Sequence, residues 1–377
     1  MDIKFIGGKT VNAIVDVYLD NNLGDNIMGE MLINFLQKND IKCYLLINNE
    51  FTYSNFIDKF SDVDIINNID KEVIKEKAID FYIRVGGSIF PHNTAADGIF
   101  RYHTLLQYKM MKQNGVKIFI LGCNVGPFKS SIGIGATKGI IKTSNLITCR
   151  DKKTYDFISK IKKKDFFIFP DIVFSRKDLR KKNKKENDVL GISTYTGYTK
   201  ELIKYNYDYT KMMCGIVNKY LLEKRNGKVK LFVFDSGYNS DYPTSHRIYD
   251  SVKDKKRIEI IDFSGNIYDF MDEFYKCSVM IGTRFHSIVL ALLCNTPILP
   301  VIYSNKTRNL LSDLNYQGEI IKIQNCRDVN INRVTNSIIN GIGLLDSIDN
   351  KILEDSEGHL NILYRYIIKN VETVDKK

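Results

Sequence analysis

Arg284 and His286 stand two residues apart in the run Gly282-Thr283-Arg284-Phe285-His286-Ser287. Arginine supplies a permanent planar cation that meets a carboxylate or a phosphate at two points. Histidine supplies a proton that moves near neutral pH. The apolar residues 278–281 before them read as a buried strand and Gly282 as a turn. Residues 285–294 then read as a helix that is apolar on nearly all sides, and a second strand is entered at Pro297. The pair therefore falls where a strand ends and a helix begins. At that edge an open α/β sheet binds ligands, because free backbone N–H groups and a positive helix end face one crevice. The structural alternative is an Arg284 paired with an internal acid and a His286 that only caps the turn.

Other strand ends carry residues that could share such a crevice. Residues 12–19 read as the first strand, ending at Asn22-Leu23-Gly24-Asp25, with Asp25 expected to cap the following helix and available as a base. Gly86, Gly87 and Ser88 end another strand, and Gly122-Cys123-Asn124-Val125-Gly126-Pro127 a third. Glycine there lets backbone come close to a ligand or take a positive φ. At Cys149-Arg150-Asp151, Asp151 is the expected cap and Arg150 either enters the crevice or pairs with that aspartate. Asp171 and Asp235 follow two further strand ends and are candidate bases alongside Asp25.

The elements that position these residues are strands alternating with helical stretches. Strands are expected at 42–47, 63–66, 79–85, 116–121, 146–148 and 166–169, with a long helix at 98–114. After a strongly basic stretch, strands recur at 188–193, 229–234 and 258–261, with helices at 207–223 and 267–276. Buried strands in alternation with helices are the pattern of a parallel, doubly wound sheet. The 377 residues exceed one ordinary core. The expected organisation is an N-terminal Rossmann-like domain over 1–176, expected on the acceptor side, a basic linker over 177–187, and a C-terminal Rossmann-like domain over 188–377, expected on the donor side, that includes the C-terminal helices. Two such domains facing across a cleft make a glycosyltransferase-B-like α/β plan.

Composition narrows the partners. The 55 Lys and Arg against 44 Asp and Glu leave a net charge of +11, which favours anionic partners. Much of that excess sits in short lysine clusters such as 162–164 and 181–185, typical of solvated faces. With no zinc-ligand spacing and no RNA-binding aromatic signature, no nucleic-acid partner and no metal site are expected. The seven scattered cysteines read as small buried residues of a reduced compartment. Met-Asp-Ile-Lys is not the start of a signal peptide, and the longest apolar run, 288–303, is broken by Asn295, Thr296 and two prolines. The expectation is a cytoplasmic protein able to touch the inner face of an anionic membrane.

The motifs Asn22-Leu23-Gly24-Asp25, Gly86-Gly87-Ser88, Gly122 to Pro127, Arg150-Asp151, Pro170-Asp171, Gly282 to Ser287 and Tyr303-Ser304-Asn305-Lys306 occur in an order that resembles the polysaccharide pyruvyl transferases. The resemblance covers roughly residues 12–314, and its most specific part is the Arg-x-His stretch. Phe285 stands where the family more commonly has Leu, a difference of packing more than of chemistry. The resemblance implies transfer of pyruvate from phosphoenolpyruvate, used as co-substrate without a further cofactor, onto two hydroxyls of one sugar as a ketal. It implies that Arg284 and His286 contact the donor with help from Arg150. The implied acceptor is a saccharide on a lipid-diphosphate-linked precursor of a capsule or exopolysaccharide.

The residues suit that chemistry on their own terms. Phosphoenolpyruvate carries a carboxylate and a phosphate on one small frame, which Arg284, Arg150 and Lys306 could clamp. Gly86, Gly87, Ser88, Asn124 and Ser287 are expected to line the same site. His286 is the expected general acid, or else a hydrogen-bond donor to the phosphate, with His92 second in line. His103, His246 and His359 are expected on the surface or in packing. Two other readings share the plan: a sugar-nucleotide-dependent glycosyltransferase, and a non-catalytic glycan-binding member of an assembly complex. The basic excess predicts binding to anionic vesicles that weakens as salt rises. Equal sedimentation with anionic and neutral vesicles at low and high salt would reduce that charge to ordinary solvated surface.

Overall fold

The computed structural model describes residues 10–47, 54–90, 95–128, 130–180, 186–237, 239–344 and 347–374. His92 and the lysine run 181–185 lie outside them. Seven strands form the first sheet: β1 (Val11–Val17), β2 (Ile41–Leu46), β3 (Asp64–Ile66), β4 (Phe81–Val85), β5 (Lys117–Cys123), β6 (Leu146–Cys149) and β7 (Phe166–Ile168). Six form the second: β8 (Val189–Ser193), β9 (Lys228–Val233), β10 (Ile258–Asp262), β11 (Val279–Gly282), β12 (Ile298–Ile302) and β13 (Ile321–Lys322). The orders are β3-β2-β1-β4-β5-β6-β7 and β10-β9-β8-β11-β12-β13. Both sheets are parallel, as the buried apolar strands require. Each order reverses beside its first strand, and that reversal opens a crevice at the carboxyl ends.

Side-chain alternation divides the core. On β1, Val11, Ala13, Val15 and Val17 face a cluster that also holds Phe232, Phe234 and Phe270 of the second sheet's layers. Ile14 faces the opposite cluster, with Tyr82 and Tyr108. One apolar layer therefore runs through both halves of the chain, and the cleft is closed at its base.

The segment after β7 is built into that base. Leu179 is fully buried, and its carbonyl accepts from the Tyr275 hydroxyl at 2.8 Å. Arg176 lies between Asp178 (2.8 Å) and Glu30 (3.4 Å). Residues 176–180 therefore differ from the solvated linker that their basic composition suggests. The C-terminal helix Gly358–Val374, grouped with the second domain by its place in the sequence, packs on the first sheet. Tyr366 meets Phe119 and Phe167 edge-on, and Tyr364 meets Phe35.

His359, at the head of that helix, is wholly buried, with Nδ1 2.6 Å from the Thr148 hydroxyl and Nε2 2.8 Å from the Pro170 carbonyl. Burial pushes its pKa down to about 4, from an ordinary 6.5. The unfolded chain then binds more protons between those values, so the stability His359 contributes is lost as pH falls through this window. His359→Leu leaves the Pro170 carbonyl unpaired and takes one of two partners from the Thr148 hydroxyl, which still accepts from Gly122 N–H, and should cost about 1–3 kcal/mol at pH 7. Denaturant titration should show that difference shrinking toward pH 4.5. A difference independent of pH would mean that the imidazole is not held neutral.

Candidate active site

The carboxyl ends of the two sheets meet along a seam made by backbone. Leu23 N–H donates to the Phe234 carbonyl at 3.0 Å, and Ser236 N–H to the Asn21 carbonyl at 3.2 Å. Asn22 caps the helix Leu23–Lys38, its Oδ1 accepting from Gly24 and Asp25 N–H, while its amide donates to Asp235 at 3.2 Å. Asp25, expected as the cap, is instead in the helix's first turn. The helix starts three residues earlier than the sequence suggested, because Asn22 keeps extended backbone and supplies the acceptor. The Asp25 carboxyl is thereby released toward a cavity of about 60 Å³ that Gly87, Ser88, Arg150, Arg284, His286, Tyr303 and Lys306 also line.

Arg150 enters that cavity rather than pairing with Asp151, which caps the next helix through Thr154 N–H at 2.9 Å. The guanidinium donates to Asp171 at 2.7 Å and to Asn124 Oδ1 at 2.8 Å, with the Phe285 ring 4.1 Å away. It lies flat on the backbone at Gly87, where any Cβ would overlap it. Gly86 has φ +149°, which a side chain would resist. Asp171 is buried and, with its charge compensated chiefly by Arg150, is held below the ordinary carboxylate range despite its burial. It steadies Arg150 and is poorly suited to be a base.

Arg284 is more heavily committed. Nε and Nη2 make a two-point contact with Asp241 at 2.8 and 2.7 Å, Nη2 also donates to the Asn239 carbonyl at 3.0 Å, and Nη1 is 3.2 Å from Asp235. Tyr195 lies 5.0 Å from the guanidinium and stacks on Tyr303 at 4.0 Å. The internal-acid alternative therefore describes its resting contacts, although the side chain also lines the cavity. Neither Asp241 nor Tyr303 was expected as a site residue, although Tyr303 stands in the motif Tyr303-Ser304-Asn305-Lys306. Asp241 lies in a polar loop whose spacing carries no signal.

Asp25, Lys306 and His286 in the cavity have proton affinities shifted chiefly by burial. Burial pushes Asp25 up to about 7 and holds Lys306 down to about 8, and each partly offsets the other. Burial pushes His286 down to about 3, aided by Arg150 and Lys306 and opposed by Asp171. The imidazole is thus neutral at physiological pH. It rests against Gly24, where a Cβ would collide with it, and its Nε2 is buried without a partner. Ser287, expected in the site, is fully buried and turns its hydroxyl back to the Arg284 carbonyl at 2.6 Å. It lies one helical position past the cavity wall. His103 and His246 are exposed, as expected of surface residues.

Ser88 and Lys306 also line a second, outer cavity of about 400 Å³. Asn124, Phe128, Lys153 and Phe157 of the first half bound it, with Ser304, Asn305 and Asn309 of the second. Among the described residues there is no group of three His, Cys, Asp or Glu side chains placed to hold a metal. None of the described helices is long and apolar enough to cross a membrane.

Two parallel α/β sheets facing across a ligand cleft define a glycosyltransferase-B-like fold. Solved structures share it. A putative UDP-N-acetylglucosamine 2-epimerase from Listeria monocytogenes aligns with TM-score 0.61 and 11% identity over 97% of this chain and 98% of its own. The S. aureus MnaA–UDP co-structure aligns with TM-score 0.60 and 11% identity over 93% and 91%. Phytolacca americana UGT2, complexed with UDP-2fluoro-glucose and pterostilbene, aligns with TM-score 0.52 and 10% identity over 94% and 94%. At such identities the likeness is of fold alone. The family is fixed by sequence: the polysaccharide pyruvyl transferase family model matches residues 22–305, and the chain belongs to that family. No curated protein sequence matches it.

The shifted groups give the cavity a pH dependence. Raising pH through 7 to 8 ionises Asp25 and then discharges Lys306, so both changes repel an anion. Sulfate, whose own charge is constant there, should bind at least about tenfold more weakly at pH 9 than at pH 6. Calorimetry showing equal affinity at both would place neither group at the anion site.

Proposed function

We propose that the protein transfers pyruvate from phosphoenolpyruvate to two hydroxyls of one sugar in a cell-surface polysaccharide precursor, releasing phosphate. The observation that carries this reading is the inner cavity. Arg150 and Lys306 enter it from opposite halves of the chain, beside a neutral His286 and an Asp25 poised near neutrality. Two cations lining one small chamber suit a ligand with a carboxylate and a phosphate. Arg284, fixed by Asp241, adds a third positive edge to the chamber.

The acid role passes to Asp25 on this reading. A donor whose pKa lies near the operating pH is the better general acid, and His286 is held far below it. Asp25 protonates the methylene carbon of phosphoenolpyruvate, which becomes the methyl group, and positive character develops at C2. One sugar hydroxyl oxygen bonds to C2 and its proton returns to Asp25. The C2–O bond to phosphate then breaks, the second hydroxyl oxygen bonds to C2, and its proton leaves with phosphate. The two hydroxyl protons thus account for the methyl hydrogen and the phosphate proton. The neutral His286 offers its N–H to the phosphate, and burial behind Tyr303 and Phe285 keeps water from C2.

Incubating the protein with phosphoenolpyruvate and lipid-linked or free saccharides, then following phosphate and product mass, tests the activity. No phosphate release and no ketal across such a panel would sink it. Within that assay, Asp25→Asn should lower saturated turnover about a hundredfold and remove the alkaline fall in rate near pH 7. His286→Gln, which keeps a donor N–H, should raise the half-saturating phosphoenolpyruvate concentration by up to about tenfold with turnover nearly intact. The reverse pattern would return the acid role to His286.

A further inference from the structure

We infer that the outer cavity is a saccharide subsite in which a neutral sugar ring lies on the Phe128–Phe157 aromatic pair and presents two hydroxyls to the inner cavity across Ser88 and Lys306. This rests on the proposed transfer reaction and assigns its second substrate. The inner cavity, at about 60 Å³, is far too small to hold a pyranose. The ring must therefore sit outside, with only the reacting edge reaching in. The outer cavity adjoins at that edge, because Ser88 and Lys306 line both.

Its walls have the chemistry that sugars need. Phe128 and Phe157 lie with ring centroids 5.1 Å apart at 42°, a tilted pair that offers an apolar face for the C–H side of a pyranose. Asn305 and Asn309 border it from the helix Asn305–Asp313, and Asn124 from the end of β5. Carboxamides both donate and accept, as a ring of hydroxyls requires, and they carry no charge to attract the wrong ligand. The Asn309 amide nitrogen is already held by Asp151 at 3.2 Å, which fixes the orientation of the group before a sugar arrives. The two halves of the chain each supply part of the wall, so the subsite exists only when the cleft is closed.

A competing location is the cavity of about 800 Å³ beside β1 and β2, rimmed by Tyr18 and Phe100. Its floor holds the Asp16–Arg84 pair, and it shares no lining residue with the inner cavity. The test separates the two. Saturation-transfer NMR is run on the full chain with methyl β-galactopyranoside and methyl N-acetyl-β-mannosaminide at millimolar concentration. Phosphoenolpyruvate titration followed by phosphorus NMR is run on the same samples.

Ring protons of at least one glycoside should receive saturation from the wild type. Phe128→Ala should reduce it at least fivefold, Phe128→Tyr should retain it, and phosphoenolpyruvate binding should be unchanged in both. Saturation that survives Phe128→Ala, that disappears in Tyr18→Ala or Phe100→Ala instead, or that is absent from the wild type overturns the subsite. Failure of phosphoenolpyruvate to bind would sink the transfer reaction itself, whatever the sugar signal.

Discussion

The closed cleft depends on two positions with no side chain: Gly24 beneath the His286 imidazole and Gly87 beneath the Arg150 guanidinium. Each brings a large polar group of one element against the bare backbone of another. In the first case the contact spans the two halves of the chain. Packing at ordinary van der Waals distance removes water from both groups, and the shifted proton affinities around them follow from that desolvation. A Cβ would overlap the His286 ring at Gly24 and the Arg150 guanidinium at Gly87, so at either position one of the two surfaces must give way.

Among the described residues, the charges set into this seam do not sum to a simple cationic pocket. Arg150, Arg284 and Lys306 interact with Asp25, Asp171, Asp235 and Asp241. The two arginines are each matched to an acid at hydrogen-bond distance, an arrangement that fixes direction more than it adds stability. Burial also raises Asp235 and pushes Asp241 up to about 6. A surplus of carboxylates over cations in one buried cluster is relieved by binding protons, and the pocket thereby becomes receptive to an anion. Charge in this site is regulated by occupancy of protons rather than set by composition.

Much of this was legible in the sequence because strand and helix periodicity survives in buried parallel sheets. β1, β4, β5 and β11 fall within a few residues of their expected places, and Arg150, Lys306, Arg284 and His286 meet at one cavity. What failed to show has common causes. The cap at Asn22 rather than Asp25 depends on backbone conformation, which no residue preference three positions apart resolves. Ser287 turned inward because a helical step of 100° carries it off the face that His286 occupies. Asp241, which determines how Arg284 points, lies 43 positions away in a loop, a contact only the tertiary structure creates. The segment 176–180 misled because lysine and arginine counts ignore a single well-buried leucine, Leu179.

The helix Gly358–Val374 completes the layer against β5 and β6 although its residues are the last described in the chain. Synthesis proceeds from the other end, and domains ordinarily fold as they emerge. Here the first sheet leaves the ribosome with Phe119, Phe167 and the Thr148 hydroxyl still lacking the partners that Tyr366 and His359 later provide. Its maturation is therefore deferred until residues 358–374 have been made, and the nascent half must be kept from sticking to other apolar surfaces throughout the time needed to make the second.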